Sequence, residues 1–261
     1  MAVSHGKNWT SSTNSRRSLA SHDPKPKNAE GSAYPQQSLF GRRKGRPLGE
    51  DRQAALDNRL PEIDLSPAIN QEKQIDLSAV FGGTPSPLWM EIGFGNGEHL
   101  ATLMRRHPGT YFIGAEPFIN GMSAFLMHIK DLPNDKIRVL MDDAIKLCRL
   151  LPDKCLDGLY ILNPDPWPKT RHHRRRIVSP ENLDIFARLL KPGASLIMTT
   201  DVPGLADWMV THANNHTAFT WQAECAADWQ TPPEDWIPTR YETKRANGAD
   251  KMAYLFFERK P

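Results

Sequence analysis

Glycines and a carboxylate stand together at the end of the first predicted strand. Glu91 is followed by Gly93, Gly95 and Gly97, which are spaced two residues apart directly before a helical pattern. Glycine lets the backbone turn sharply and approach a ligand closely. In an open α/β sheet, ligands bind at the carboxyl ends of the strands. The pattern therefore predicts a loop that faces a cofactor.

Carboxylates at successive strand ends indicate which cofactor this loop would bind. Glu116 ends the second predicted strand, where it could accept hydrogen bonds from the hydroxyls of an adenosine ribose, and Asp142 and Asp143 follow the third. A dinucleotide fingerprint would need glycine at the position of Glu98, and an anion there disfavours a pyrophosphate. S-adenosylmethionine instead carries a sulfonium and an ammonium, which carboxylates attract. The acids favour S-adenosylmethionine, while the alternative that Glu91 and Asp143 are only solvated strand ends stays open.

A proline-rich loop follows the fourth predicted strand at the same edge of the sheet. Residues 163–168 read Asn-Pro-Asp-Pro-Trp-Pro, and the prolines make this loop stiff and non-helical. It presents the carboxylate of Asp165 and the indole of Trp167 where a planar base could stack.

The residues after this loop form a basic run. Residues 169–176 contain five Lys or Arg and two His, a density that predicts contacts with several phosphates. An ordinary solvated charged surface is the alternative interpretation. The adjacent pair His172 and His173 has no acid or thiol at ligand spacing, so no metal site is predicted.

Composition limits the class of protein. The 261 residues include three cysteines and no C-x-x-C pair, which argues against a disulfide framework or a zinc site and favours a reducing compartment. No apolar run approaches the ~20 residues that span a bilayer. Residues 1–50 carry a net charge of +6 and the remainder carries −3, so the basic arm indicates a polyanionic partner, unless it is only a solvated tail. We expect a cytoplasmic protein with no membrane segment and no metal.

The distribution of apolar residues predicts three parts of the chain. Residues 1–48 form a basic arm predicted to be disordered, residues 49–87 a helix and a connector, and residues 88–261 an α/β domain. Apolar runs predict strands at 88–92, 111–115, 137–141, 156–162, 195–200, 219–224 and 252–257. Helices are predicted at 50–60, 97–106, 118–130, 144–151, 180–190 and 205–213, and a long loop at 226–250.

Motifs at three places resemble those of the bacterial tRNA (guanine-N7-)-methyltransferases. They are residues 91–97 (EIGFGNG), 164–176 (PDPWPKTRHHRRR) and 239–242 (TRYE), and the basic segment 40–46 (FGRRKGR) is similar to the N-terminal element of that family. The resemblance implies an α/β, Rossmann-like class I methyltransferase fold, with a mostly parallel seven-stranded sheet, helices on both faces and a final antiparallel strand. It also implies S-adenosylmethionine as the cofactor and tRNA as the substrate, methylated at nitrogen 7 of a guanosine in the variable loop.

The resemblance assigns roles to individual positions. Together with the loop glycines, the predicted cofactor-binding residues are Glu91, Gly93, Gly95, Gly97, Glu116, Asp143 and Asp165. Asp165 also matches the family's carboxylate at the reaction centre and is the predicted catalytic residue. The predicted substrate-binding residues are Lys169, Asp201, Thr239, Arg240, Tyr241 and Glu242, with Arg240 at a position where lysine is common. The predicted RNA-contacting residues are Arg171, Arg174, Arg175 and Arg176.

The reaction that the resemblance implies needs alignment more than proton transfer. Nitrogen 7 of guanine carries a free lone pair, so no general base is required. We expect the site to align the reactants, exclude water and place the Asp165 carboxylate near the base that becomes cationic.

Other functions stay open on the residues alone. A methyltransferase acting on an amino group of adenine or glutamine shares a related proline-aromatic loop, although Asp165 between two prolines argues against it. An NAD-dependent oxidoreductase and a non-catalytic RNA-binding protein are alternatives from other classes. The sequence is compatible with a monomer or a homodimer.

Overall fold

The computed structural model describes Gly41 and residues 43–71, 73–244 and 251–261. Most of the predicted basic arm, residues 1–40 and 42, lies outside the described residues. The described residues belong to one unit by their contacts.

One sheet organises the described part of the chain. Its order is β3-β2-β1-β4-β5-β7-β6, with β1 to β5 parallel to one another and β7 antiparallel to both of its neighbours. This order confirms the predicted mostly parallel, seven-stranded sheet with a final antiparallel strand. The strands are β1 Leu88–Ile92, β2 Tyr111–Ala115, β3 Ile137–Leu140, β4 Leu156–Leu162, β5 Leu190–Thr200, β6 Phe219–Trp221 and β7 Ala253–Arg259.

Helices connect the strands and precede them. The helices are α1 Glu50–Asn58, α2 Leu60–Ile63, α3 Ser66–Ile69, α4 Leu77–Phe81, α5 Glu98–Arg106, α6 Ile119–His128, α7 Ala144–Leu150, α8 Pro180–Leu189, α9 Pro203–Asn215, α10 Ala227–Gln230 and α11 Arg240–Lys244. A 3-10 helix spans Thr170–Arg175. Of the described helices, none is both long and apolar enough to cross a membrane.

The apolar core lies in two layers, one on each face of the sheet. Neighbouring residues of a strand point to opposite faces, and Phe112 and Ile113 of β2 accordingly belong to different buried clusters. Helices α7, α8 and α9 pack on the face of Ile113, and α5 and α6 pack on the face of Phe112. The predicted two-sided covering of the sheet is therefore present.

Several element bounds differ from the prediction. The fifth strand begins at Leu190 rather than at 195, because Leu190 already pairs with Leu156 before the register shifts. Gly193, at φ +79°, lies inside this irregular stretch, and a glycine inside a strand commonly marks such an irregularity. The sixth strand ends at Trp221 rather than at 224. The predicted loop 226–250 contains α10 and α11, and residues 245–250 lie outside the described part.

Parallel strands bring the predicted motifs to one edge. The carboxyl ends of β1 to β5 share this edge, and β1 and β4 are neighbours, with Ile92 opposite Ile161. The glycine loop after β1 therefore lies beside the loop of residues 163–168 after β4. This is also where the strand order reverses, the place where open α/β sheets bind ligands.

Candidate functional site

The glycine loop needs its glycines for backbone conformation. Gly93, Gly95 and Gly97 have φ values of +71°, +58° and +76°, a region that other residues rarely adopt. A methyl group added at Gly93 or Gly95 would meet no atom within 4 Å, whereas one at Gly97 would overlap the ring of Phe125 in α6. The first two glycines therefore leave open space at the strand ends, and the third allows close helix packing.

Glu116 fastens this loop to the end of β2. Its Oε2 accepts a hydrogen bond from the Gly95 N–H (2.8 Å) and its Oε1 accepts one from the Phe118 N–H (2.9 Å). Burial raises the pKa of Glu116, and repulsion from Asp165 and Glu91 adds to the rise, while the two hydrogen bonds oppose it. Asp165 and Glu91 thus both lie close enough to Glu116 to repel its charged form.

Glu91 at the end of β1 is paired with a residue that the sequence analysis did not select. Its Oε2 lies 2.8 Å from Nδ1 of His99 in the first turn of α5, and the two side chains are only 2% and 4% exposed. The His99 ring packs edge-on against Tyr160 of β4 at 5.0 Å and lies 6.0 Å from the ring of Trp236. The carboxylate of Glu91 is therefore held in place by a buried side chain, His99.

A cavity of about 320 Å³ opens between the glycine loop and the late part of the chain. Glu98 and Asn163 line it. The predicted site residues that also line it are Glu91, Gly93, Gly95, Thr239, Arg240 and Tyr241. The structure thus brings predicted cofactor-binding and substrate-binding residues together around one cavity.

The two carboxylates that follow β3, Asp142 and Asp143, both make contacts within the protein. The Asp143 side chain caps α7 by accepting a hydrogen bond from the Ile145 N–H (2.8 Å), and burial raises its pKa. Asp142 pairs with Lys146 at 2.8 Å and lies 3.8 Å from Arg43 of the basic segment. Asp143 is therefore half-buried and caps a helix with one oxygen, which does not match the solvated-end alternative, and its cofactor-binding role stays a prediction.

Asp165 lies on a constrained loop beside the basic segment. Asn163 and Trp167 have φ values of +49° and +42°, which is uncommon for residues with side chains. A Cβ on Gly41 would lie 3.7 Å from Oδ2 of Asp165, so the basic segment passes this carboxylate. Asp165 keeps an exposed edge, but the protein atoms around the rest of it raise its pKa by partial burial.

Asn163 carries an unused hydrogen-bond acceptor at the cavity. Its Nδ2 donates to Oγ1 of Thr239 (3.1 Å), which links the loop after β4 to the late part of the chain. Its Oδ1 is buried and accepts no hydrogen bond from the described residues. Since buried acceptors are normally satisfied, this oxygen fits an N–H donor of a ligand in the cavity.

Residues 239–242 (TRYE) supply the side chains that cap the helix beginning within them, α11. Thr239 and Glu242 form a capping box at the start of α11, with the Glu242 N–H donating to Oγ1 of Thr239 (3.2 Å) and the Thr239 N–H donating to Oε1 of Glu242 (3.4 Å). Glu242 also accepts a hydrogen bond from Nε1 of Trp236 (2.9 Å). Arg240 lies 3.6 Å from Glu98. The predicted substrate-binding segment is therefore fixed by contacts within the protein.

Comparisons with known proteins agree with one another. A family model described as "Putative methyltransferase" matches residues 85–255. The tRNA (guanine-N(7)-)-methyltransferase of Rhodospirillum rubrum is 43% identical over 224 residues, covering 85% of this chain and 88% of that protein. The protein of the same name from Mesorhizobium japonicum is 43% identical over 224 residues, covering 86% and 95%. The chain belongs to the tRNA (guanine-N7-)-methyltransferase family.

A solved structure supports the fold independently. The 16S rRNA methyltransferase KamB is 19% identical with a TM-score of 0.52, and the match covers 72% of this chain and 96% of that one. The resemblance seen in the sequence motifs is thus confirmed at the level of family and of fold. Family membership favours methyl transfer over the oxidoreductase and non-catalytic alternatives, and Glu98 does line the cavity where a pyrophosphate would be repelled.

The basic run of this methyltransferase is only partly on the surface. Arg171 and Arg174 are exposed, as is Lys169 before the 3-10 helix, and the Arg175 guanidinium lies 4.9 Å from the ring of Trp167. Arg176 differs from the prediction of an RNA contact, because it is 7% exposed and its Nε donates to the Pro166 carbonyl oxygen (3.0 Å). Its guanidinium also lies 4.8 Å from the ring of Trp208. Arg176 therefore braces the 163–168 loop from inside.

The predicted substrate-binding residue Asp201 directly follows the last residue of β5, at the same edge of the sheet as the cavity, and is half-buried. Within the described ranges, no group of three or more His, Cys, Asp or Glu side chains is placed to hold a metal ion.

His99, Asn163 and Trp236 are the site residues that sequence reasoning missed. Asn163 directly follows the fourth strand, a position that could have been selected on the same grounds as Glu116. His99 and Trp236 carry no such signal, because a histidine inside a helical pattern and a tryptophan inside a loop are both common in protein cores.

Proposed function

We propose that this chain transfers the methyl group of S-adenosylmethionine to nitrogen 7 of a guanosine in the variable loop of tRNA. The observation that carries the proposal is the convergence of Glu91, Glu116 and Asp165 around the glycine loop. Burial raises the pKa of Glu116, repulsion from Asp165 and Glu91 adds to the rise, and a cationic ligand relieves such repulsion.

The residues present fit this cofactor. Gly93 and Gly95 leave open space beside the carboxylates, and Asn163, which lines the cavity, has an unused Oδ1 that would accept a hydrogen bond from an N–H group of the cofactor. Glu91 would hold a cationic amino group, and each oxygen of Glu116 keeps a lone pair for a ribose hydroxyl beyond its backbone hydrogen bond. When bound, S-adenosylmethionine supplies an electrophilic methyl group on a sulfonium.

The protein's part in the reaction is to position a base and to stabilise charge. Asp165 accepts hydrogen bonds from guanine N–H groups and offsets the positive charge that the purine gains. The prolines of the 163–168 loop and the internal brace from Arg176 hold this carboxylate at the sheet edge. Arg171 and Arg174 bind the RNA backbone from the exposed 3-10 helix. We place the reaction in the cytoplasm, where tRNA is found and where free thiols such as those of Cys148 and Cys225 persist.

Methyl transfer from labelled S-adenosylmethionine to defined tRNA tests the proposal. A transcript with guanosine at the target position is compared with one that carries 7-deazaguanosine there, which lacks the acceptor nitrogen. We expect label in the first transcript only, recovered as 7-methylguanosine after digestion. Recovery of a methylated adenine, or no incorporation although tRNA binds, would favour the amino-group methyltransferase or the non-catalytic alternative.

A further inference from the structure

His99 is a buried titratable residue to which neither the motifs nor the family assignment gives a role. It lies in the first turn of α5, 4% exposed, with Nδ1 2.8 Å from Oε2 of Glu91. Both side chains line the cavity. A buried polar pair at a ligand cavity has either a structural or a functional reason to be there.

The hydrogen bond between them has a defined direction. An ionised carboxylate can only accept, so Nδ1 of His99 carries the proton when Glu91 is charged. The bond fixes one oxygen of Glu91 and stabilises its charge away from water. Glu91 lines the cavity, and we expect its other oxygen to accept a hydrogen bond from a cationic group bound there.

The ring of His99 also packs near a second residue, Trp236, in the segment that leads to α11. It lies 6.0 Å from the ring of Trp236, whose Nε1 donates to Oε2 of Glu242 (2.9 Å). Glu242 in turn caps α11 together with Thr239. The imidazole therefore supports the late segment through packing, while its nitrogen holds Glu91 through a hydrogen bond.

We infer that His99 is a positioning residue with two separable tasks: its Nδ1–H orients Glu91 for the cationic part of the cofactor, and its ring supports the Trp236 to Glu242 segment that faces the RNA. This inference rests on the proposed function. The two tasks belong to different atoms of one side chain, so different substitutions separate them.

Two variants of the full chain separate the tasks. His99→Phe keeps an aromatic ring and removes the donor to Glu91, whereas His99→Asn keeps a donor near the position of Nδ1 and removes the ring. His107→Asn is the matched control, because His107 follows the last residue of the same helix, is exposed and does not line the cavity. Calorimetry measures the Kd for S-adenosylmethionine and S-adenosylhomocysteine, and steady-state kinetics measures KM for tRNA.

The expected results are opposite for the two variants. His99→Phe raises the cofactor Kd by about tenfold or more and leaves KM for tRNA near that of the wild type. His99→Asn leaves the cofactor Kd near that of the wild type and raises KM for tRNA by a factor of about three or more. An unchanged cofactor Kd in folded His99→Phe, or equal losses of both quantities in the two variants, overturns the inference.

A measurement on the unaltered protein decides the question if His99→Phe does not fold. Nitrogen-15 NMR of labelled histidines should show one imidazole protonated at Nδ1, whose signals shift when S-adenosylhomocysteine is added, while those of His107 do not. Absence of that shift despite cofactor binding overturns the inference alone. A wild-type protein that binds neither cofactor overturns the proposed function as well.

Discussion

The two sides of the sheet edge are built in different ways. After β1 and β2, the charged groups are buried and hydrogen-bonded within the protein, as in the pair of Glu91 with His99 and the two backbone bonds to Glu116. After β4, the charged groups Asp165, Arg171 and Arg174 keep exposed surface.

The difference reflects the size of the ligand that each side would meet. A small cofactor can be surrounded, so its recognition groups can be fixed inside the protein and shielded from water. A polyanion such as tRNA meets the surface, where exposed cations contact phosphates at low desolvation cost. Loss of a buried group should therefore reduce folding stability and cofactor binding together, and loss of an exposed group should reduce only the function on the RNA side.

Replacement of Asp165 should have the largest effect on activity and little effect on stability. We expect Asp165→Ala to lower kcat by about 10²- to 10³-fold, because a carboxylate near the developing cation is lost. The cofactor Kd should change by no more than several-fold, which calorimetry can measure. The melting temperature should not fall at neutral pH, because burial raises the pKa of this carboxyl and disfavours its charged form in the folded protein.

Asp153→Asn is a matched control for this variant. Asp153 precedes β4 at the opposite edge of the sheet, where it pairs with Arg188 at 2.6 Å. Its replacement should leave kcat unchanged. Near-normal turnover by Asp165→Ala would remove that residue from the reaction centre.

The arginines of the basic run, residues 169–176, should differ in the effect of their loss. Loss of the exposed ones should weaken RNA binding, and loss of the buried one should lower stability. The double variant Arg171→Gln and Arg174→Gln should weaken tRNA binding roughly tenfold and reduce the slope of log Kd against log salt by about one per arginine, without a change in melting temperature. Arg176→Met should instead lower the free energy of unfolding by about 1–3 kcal/mol, because the half-buried Pro166 carbonyl loses its donor. Its salt slope should stay that of the wild type.

Filter binding at several salt concentrations and thermal unfolding measure both quantities. The comparison fails if Arg176→Met changes the salt slope as much as the exposed pair does. It also fails if the exposed pair is as destabilising as Arg176→Met.

The same contrast explains what the sequence could predict. Alternating strands and helices predict a parallel α/β sheet, the family resemblance implies its seven strands with a final antiparallel one, and the rule for strand ends places Glu91, Glu116 and Asp165 at one edge. Burial is harder to infer, because a charge run such as residues 169–176 does not indicate that Arg176 turns inward onto Trp208. The His99 pair depends on a contact across eight residues that only the folded loop creates. The Thr239 to Glu242 capping box is not predicted, because residues 226–250 are assigned to a loop, although its T-x-x-E spacing is the signature of such a box.

The pH dependence of the reaction should reflect the pKa of Asp165, which lies after β4 on the exposed side of the sheet edge. Burial raises the pKa of Asp165 above the ordinary value of about 3.9. Catalysis needs the ionised carboxylate, so kcat/KM should fall about tenfold per pH unit as pH drops through the raised pKa. The linked effect on stability has the opposite sign: the folded state binds this proton more tightly, so the contribution of Asp165 to stability decreases as pH rises from its ordinary pKa to the raised one.

A pH profile of kcat/KM, with circular dichroism at each pH to exclude unfolding, measures this fall in kcat/KM at acid pH. An acid limb at the ordinary pKa of aspartate would contradict the argument. The Asp153→Asn control should have the wild-type profile.

The smallest expected effect concerns Asn120 of α6, which joins the basic segment to the cofactor side. Its Oδ1 accepts a hydrogen bond from the Gly45 N–H and its Nδ2 donates to the Arg46 carbonyl oxygen, each at 2.8 Å. Asn120→Ala should destabilise the bound position of this segment by about 1 kcal/mol, because the two hydrogen bonds are exposed to water. Local opening exposes the backbone to proteases in proportion to its population, so trypsin should cleave after Arg43 and Lys44 about fivefold faster, with Asn214→Ala in α9 as the control. Equal cleavage rates in the two variants would mean that the segment is held on the exposed side, beside Asp165, rather than by the cofactor side of the sheet.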